Sequence, residues 1–359
     1  MRSYHSPAKP AARHRATTRV IFPLVLLVFL LLAATTGYSF TALYAFGDSI
    51  SDTGRNPAGP AQLYFNGRYS NGPLWVEYLS ASLGLPYNAA NNFAVSGSTT
   101  SDLQSQIAGL TASTNLQSAL FTVESGGNDF LQNSGLGTND AAWGVVVTNA
   151  VKNMTNAIVA LYTKGAREIL VLNLFNVGQA PFFSAYSANY RVYVNSKVAE
   201  FNARFASAVT NVMQQVPALR IYVANNNQMS SNIISAPVAY GFTVSTIGAL
   251  EDPSLTDKSF AGPGANYVFW DPIHPTTKGH AMIAALAFSC VGVQLNLARN
   301  GTNLNLTANN LYPSLPYTIQ SSTNLTAWTN YLTFTATNTN AVTVLTNGPG
   351  TKLFYRVQY

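Results

Sequence analysis

The sequence is poor in the residues that most often announce a chemistry. One of its 359 residues, Cys290, is cysteine, so no intramolecular disulfide can form. Cys290 falls in the apolar run from Ala281 to Val293, where a thiol is expected to be a buried structural group rather than a nucleophile. Charged residues make up only 9% of the chain and hydrophobic ones 47%, which excludes a disordered chain and fits one sizeable domain plus a small one. The formal net charge is +6, but Arg2, Lys9, Arg13, Arg15 and Arg19 all precede the first acidic residue, Asp48. Beyond them 14 Lys and Arg face 13 Asp and Glu, a balance that gives no reason to expect a nucleic-acid partner. There are four histidines, and two of them, His5 and His14, sit in that basic N-terminal stretch. His274 and His280 alone supply a metal site poorly, so no metal and no cofactor is expected. The apolar run Val20 to Ala34, broken at Pro23, is also short of the roughly 20 residues that a membrane-spanning helix needs.

What is present at the N-terminus is a basic stretch, then that apolar run, then small and polar residues. This is the order of a signal peptide, here residues 1–39 with Gly37-Tyr38-Ser39 as the cleavage region. A secreted or periplasmic protein is expected; the alternative is an uncleaved N-terminal membrane anchor.

From residue 40 to 295 short β-rich runs alternate with longer helical ones. The expected strands are Ala42–Phe46, Asn92–Val95, Leu120–Glu124, Glu168–Leu174 and Arg220–Ala224. Trp143, Val147, Val151, Met154, Ile158 and Leu161 form one helix face closed by Gly165, and Val194, Val198, Phe201, Phe205 and Val209 form another with Pro217 beyond it. Such alternation indicates an α/β fold, a parallel sheet with helices on both faces. Residues 296–359 change character: Asn and Thr dominate, and Asp, Glu, His and Cys are all absent. Short strands at Tyr317–Gln320, Tyr331–Thr335, Val342–Leu345 and Leu353–Val357, with an Asn347–Gly350 turn, make this tail a small all-β module without acid–base side chains. Contact with a surface or polysaccharide is the role left to it.

A Ser–His–Asp arrangement needs only one histidine. In Asp271-Pro-Ile-His274 the carboxylate lies three residues ahead of the imidazole, so one turn can bring them together and leave the far ring nitrogen to take a proton from a serine. Ser49 is the candidate serine. It follows the first strand, Gly47 permits a tight turn there, and the carboxyl ends of parallel strands are where ligands bind. The Gly-x-Ser-x-Gly elbow is missing, and the only Ser-x-x-Lys pair, Ser6 with Lys9, lies in the N-terminal segment. Two more loops at the same sheet edge, Val95-Ser-Gly97-Ser-Thr99 and Ser125-Gly-Gly-Asn128-Asp129, offer oxyanion donors: the Ser49 and Gly97 N–H groups and the Asn128 carboxamide. Asp48 and Asp129 are expected to bind backbone N–H groups around their own turns, and His280 to be structural or on a helix surface.

Phe46-Gly-Asp-Ser49-Ile-Ser-Asp-Thr-Gly54, Asn92-Phe-Ala-Val-Ser-Gly97, Gly126-Gly-Asn128-Asp129 and Asp271-Pro-Ile-His274-Pro resemble, in order, four blocks of the GDSL or SGNH hydrolases, over about residues 42 to 290. Tyr64 to Trp75 is similar to the stretch after the first block in the plant-type and bacterial lipase-like branch; Arg55 departs from that branch, which usually has Asn there. The resemblance implies a flavodoxin-like three-layer α/β/α fold and carboxylic ester hydrolysis, with Ser49, Asp271 and His274 catalytic and Ser49, Gly97 and Asn128 in the oxyanion hole. An ester is the implied partner, whether a lipid, a short acyl ester or an acetylated glycan, acted on by a monomer. Acyl transfer from the same site, and a surface- or carbohydrate-binding protein on an inactive hydrolase scaffold, are the alternatives.

Overall fold

The computed structural model describes residues 40–359 except 112–115, 301–302, 310, 312–315, 325–326, 339, 346–352 and 359. The expected cleavage region and the Asn347–Gly350 turn lie outside the described residues. Four strands, β1 (Leu43–Gly47), β2 (Leu120–Glu124), β3 (Glu168–Leu172) and β4 (Arg220–Ala224), form a parallel sheet in that order. β2 is buried throughout, as expected of a strand covered on both faces, whereas β4 at the edge exposes Arg220 and Val223.

The expected second strand, Asn92–Val95, is reduced to a single parallel bridge between Ala45 and Asn92. Phe93 N–H donates to Ala45 O at 2.7 Å and Val95 N–H to Gly47 O at 3.1 Å; then the chain turns away at Gly97, whose φ of +85° suits glycine. Counting this run, the order is 2-1-3-4-5, which is the flavodoxin-like order.

Side chains alternate across the sheet, and two cores result. Phe46, Phe121, Val123, Ile169, Val171 and Ile221 pack against α2 (Leu103–Ala108), α4 (Asp140–Lys164) and α5 (Ala188–Gln215). Both long helices appear where the apolar stripes place them, and Gly165 caps α4 at φ +119°. On the other face Leu43, Ala45, Leu120, Leu170, Leu172 and Ala224 meet α1 (Trp75–Ser82), α6 (Asn226–Ser235) and α7 (Thr277–Gly292), giving a three-layer α/β/α sandwich. A short helix, α3 (Gly127–Gln132), follows β2. No helix among the described residues is long and apolar enough to cross a membrane.

After α7 come two three-stranded antiparallel sheets: β5 (Gln294–Asn300), β6 (Asn303–Asn309) and β9 (Asn340–Leu345) in one, and β7 (Pro316–Ser322), β8 (Thr329–Thr335) and β10 (Phe354–Gln358) in the other. Leu306, Ile319 and Leu345 make their own small core, while Ala308, Leu311, Tyr317 and Ala336 join the core beneath α1 and α7. β5 and β6 were not foreseen, because their alternating Leu and Asn residues carry few of the β-branched and aromatic side chains that mark a strand.

Candidate active site

The first loop is built on a close approach that only glycine allows. Gly47 ends β1 opposite Glu124 of β2 with φ +147°, and a Cβ there would lie 1.9 Å from the Glu124 carbonyl oxygen. The Gln106 side chain clasps the same residue: Gly47 N–H donates to Oε1 at 2.9 Å, and Nε2 donates to Gly47 O at 2.8 Å. The chain then winds into a turn in which Ser51 and Asp52 N–H both donate to Asp48 O, at 3.0 and 2.9 Å. Ser49 projects from that turn, at the carboxyl end of β1.

Asp271 and His274 meet as the spacing suggests. One Asp271 oxygen accepts the backbone N–H of Ile273 and of His274, at 2.9 and 2.8 Å, which folds the tetrapeptide back on itself. His274 Nδ1 is 2.7 Å from Asp271 Oδ2, and His274 Nε2 is 2.7 Å from Ser49 Oγ. All three side chains are buried. Burial works against ionisation of Asp271, but the facing His274 imidazole and the two backbone donors outweigh it and hold the carboxyl below the usual carboxylate range. Tyr64 Oη donates to Asp271 Oδ2 at 3.0 Å, and the Tyr69 ring lies 4.7 Å from the His274 ring. Burial and the adjacent Asp271 charge both raise the Tyr64 hydroxyl pKa, so it stays a donor.

Gly97 and Asn128 line the same open cavity of about 610 Å³ as Ser49 and His274. Asn128 Nδ2 donates to Ser98 O at 2.8 Å, which aims the carboxamide and still leaves one of its two N–H groups. Asp129 takes its partners from the neighbouring loop: its two oxygens accept Thr100 N–H at 2.9 Å and Thr100 Oγ1 at 2.7 Å. It thus ties the Gly97 loop to the Asn128 loop, besides accepting its own backbone N–H. Asp48 does bind within its turn, accepting Ile50 N–H at 3.1 Å.

His280 is structural but not on a helix surface. It lies in the first turn of α7, fully buried, and Trp75 N–H donates to its Nδ1 at 3.4 Å. Burial pushes its pKa down to about 3, with His274 adding to the effect. Cys290 is buried as expected, and burial pushes its thiol up to about 12. Arg55, the departure in the first block, donates through Nε and Nη2 to Asn92 O at 3.2 and 2.8 Å and so braces two loops.

Several residues with direct roles in this geometry were not singled out from the sequence. Asp52 accepts five hydrogen bonds, from the N–H groups of Gly54, Arg55, Asn56 and Ser96 and from Ser96 Oγ. Tyr64 and Tyr69 stood in a stretch noted only for its resemblance. Glu124, at the end of an otherwise apolar strand, is buried beside Asp48 and lines the cavity. Burial raises both carboxyls, and the charge of Asp48 raises Glu124 further.

The described residues contain no cluster of three or more His, Cys, Asp or Glu that could hold a metal. Comparison with solved structures gives a distant likeness to an acetyl xylan esterase from Geobacillus stearothermophilus, with 15% identity, a TM-score of 0.44, and coverage of 70% of this chain and 94% of that one. Among characterised sequences, the chain is 25% identical to a GDSL esterase/lipase of Arabidopsis thaliana, covering 69% of this chain and 81% of the relative. It is 27% identical to the thermolabile hemolysin of Vibrio parahaemolyticus, covering 67% of this chain and 61% of that protein. The family model of the GDSL-like lipase/acylhydrolases matches residues 43–287, from β1 to within α7 and so across every loop of the site. The chain belongs to that family, and it is a carboxylic ester hydrolase.

Proposed function

We propose that the protein is a secreted serine esterase that works through an acyl-enzyme on Ser49. The observation that carries this reading is the continuous chain Ser49 Oγ, His274 Nε2, His274 Nδ1, Asp271 Oδ2, with both links at 2.7 Å. Asp271 fixes the imidazole with Nδ1–H toward itself, so Nε2 is the lone pair that faces Ser49. Nε2 takes the serine proton as Oγ bonds to the ester carbonyl carbon. The carbonyl oxygen becomes an oxyanion, received by the Ser49 and Gly97 N–H groups and the Asn128 carboxamide. Collapse breaks the bond to the alcohol oxygen, which leaves with the proton from His274. Water then repeats the sequence on the acyl-enzyme and releases the acid.

Export is supported by residues 1–39, where basic residues precede an apolar run too short to span a bilayer. The N-terminal sequence of protein recovered from culture medium would locate the cleavage site.

The test is Ser49→Ala beside wild type on p-nitrophenyl butyrate, with a fluorophosphonate label as second readout. Loss of roughly 10⁴-fold or more in kcat, and loss of labelling, are expected because the serine and its base act as a unit. Near-normal hydrolysis by Ser49→Ala would remove the assignment.

A further inference from the structure

A second cavity of about 580 Å³ lies next to the catalytic one, between the end of β3, α6 and α7. Phe175, Met229, Ile233, Ile234, Phe242 and Ile283 dominate its walls. Four residues, Ile50, Glu124, Phe175 and Ile273, line both cavities, so the two share a wall. Ile50 follows Ser49 and Ile273 precedes His274, so the shared wall flanks the pair.

We propose that this chamber receives a hydrocarbon chain of the ester, and that the enzyme prefers esters carrying a medium-length chain over acetyl esters of small alcohols. The proposal rests on the serine esterase reading above. Walls dominated by aliphatic and aromatic side chains are the usual lining of a small-molecule pocket. Left to water, such walls are costly, and a chain that fills them recovers that cost. Glu124 is the one ionisable group on the wall. Burial and the neighbouring Asp48 charge both work against its ionisation. A short acyl group on a small alcohol would leave the chamber unused.

The chain can enter from the acid or from the alcohol, and two substrate series separate these. One is p-nitrophenyl acetate, butyrate, octanoate and laurate; the other is the acetates of ethanol, butanol and octanol. Each buried methylene is worth up to about fourfold in kcat/KM. A rise of at least roughly 50-fold from the shortest member to the octyl one, in either series, is expected and identifies which half of the ester the chamber holds. Ser230 of α6 lines this chamber and not the catalytic cavity. Ser230→Trp should lower the octyl-to-acetyl ratio of kcat/KM at least tenfold, and Ser230→Leu, a milder intrusion, should lower it less. Flat or falling profiles in both series, with Ser49-dependent hydrolysis intact, would overturn the chamber proposal alone. So would a rising profile that neither Ser230 variant changes. Absence of any Ser49-dependent hydrolysis would instead sink the esterase reading.

Discussion

Acid should destabilise this protein through His280 in particular. The ring is fully buried in the first turn of α7, so folding requires it neutral. Its pKa falls from an ordinary 6.5 to about 3. The unfolded chain therefore binds a proton below pH 6.5 that the folded chain refuses until about pH 3. Stability is unaffected above pH 6.5 and falls by about 1.4 kcal/mol for each pH unit between those limits. From pH 7 to pH 5 the loss is about 2 kcal/mol. Asp48, Glu124 and Asp129, whose folded pKa values are raised, act with the opposite sign over the same range, so wild type alone cannot isolate the effect. His280→Asn removes the titration and keeps an oxygen for the Trp75 N–H. Urea unfolding of both proteins at pH 7 and pH 5 gives a double difference. The variant should gain about 2 kcal/mol on wild type over that interval, whatever its fixed cost. A double difference under about 0.5 kcal/mol would refute the argument, because it would mean that water or a rearranged partner solvates the charged ring.

Two further substitutions probe the site from different sides. Asn128→Ala removes one of the proposed oxyanion donors and should lower kcat by about 10² to 10³ with little change in KM, read from steady-state kinetics on a butyrate ester. An unchanged kcat would mean that its amide serves only the Ser98 carbonyl it already holds. Gln106→Leu strips both side-chain partners from Gly47 in a buried setting and should cost roughly 2–4 kcal/mol in urea unfolding, with kcat reduced as the nucleophile turn loosens.

The sheet and long helices were legible because hydrophobic periodicity reports them directly. Strands covered on both faces read as apolar runs, and α4 and α5 each carry a stripe too long for chance. The Asn92–Val95 run misled on extent because strand composition does not reveal where a neighbour stops pairing; there only the edge of β1 is available. The tail was read from aromatic and β-branched residues, and β5 and β6, built on Leu and Asn, gave neither signal.

At the site, the proposed reacting groups were legible and their supports were not, for a physical reason. Ser49, Asp271, His274, Gly97 and Asn128 belong to residue types whose chemistry narrows their role, and counting histidines left two, of which only His274 has a carboxylate three residues ahead of it. Gln106, Asp52 and Asn92 are common polar residues whose importance arises only from placement. Gln106 must sit on α2 at the right turn to meet both polar groups of Gly47, and Asp52 must face two loops at once. Glu124 is intermediate. A carboxyl closing an apolar, fully buried strand is costly unless something shares its proton, so the sequence Leu-Phe-Thr-Val-Glu already called for a partner. The β1–β2 register supplies it by pairing Gly47 with Glu124, which brings Asp48 alongside, and burial together with the Asp48 charge works against ionising Glu124. A second full negative charge at that depth would oppose oxyanion formation above it. The same pairing that lets the acid be buried therefore also keeps the electrostatics of the site compatible with its reaction.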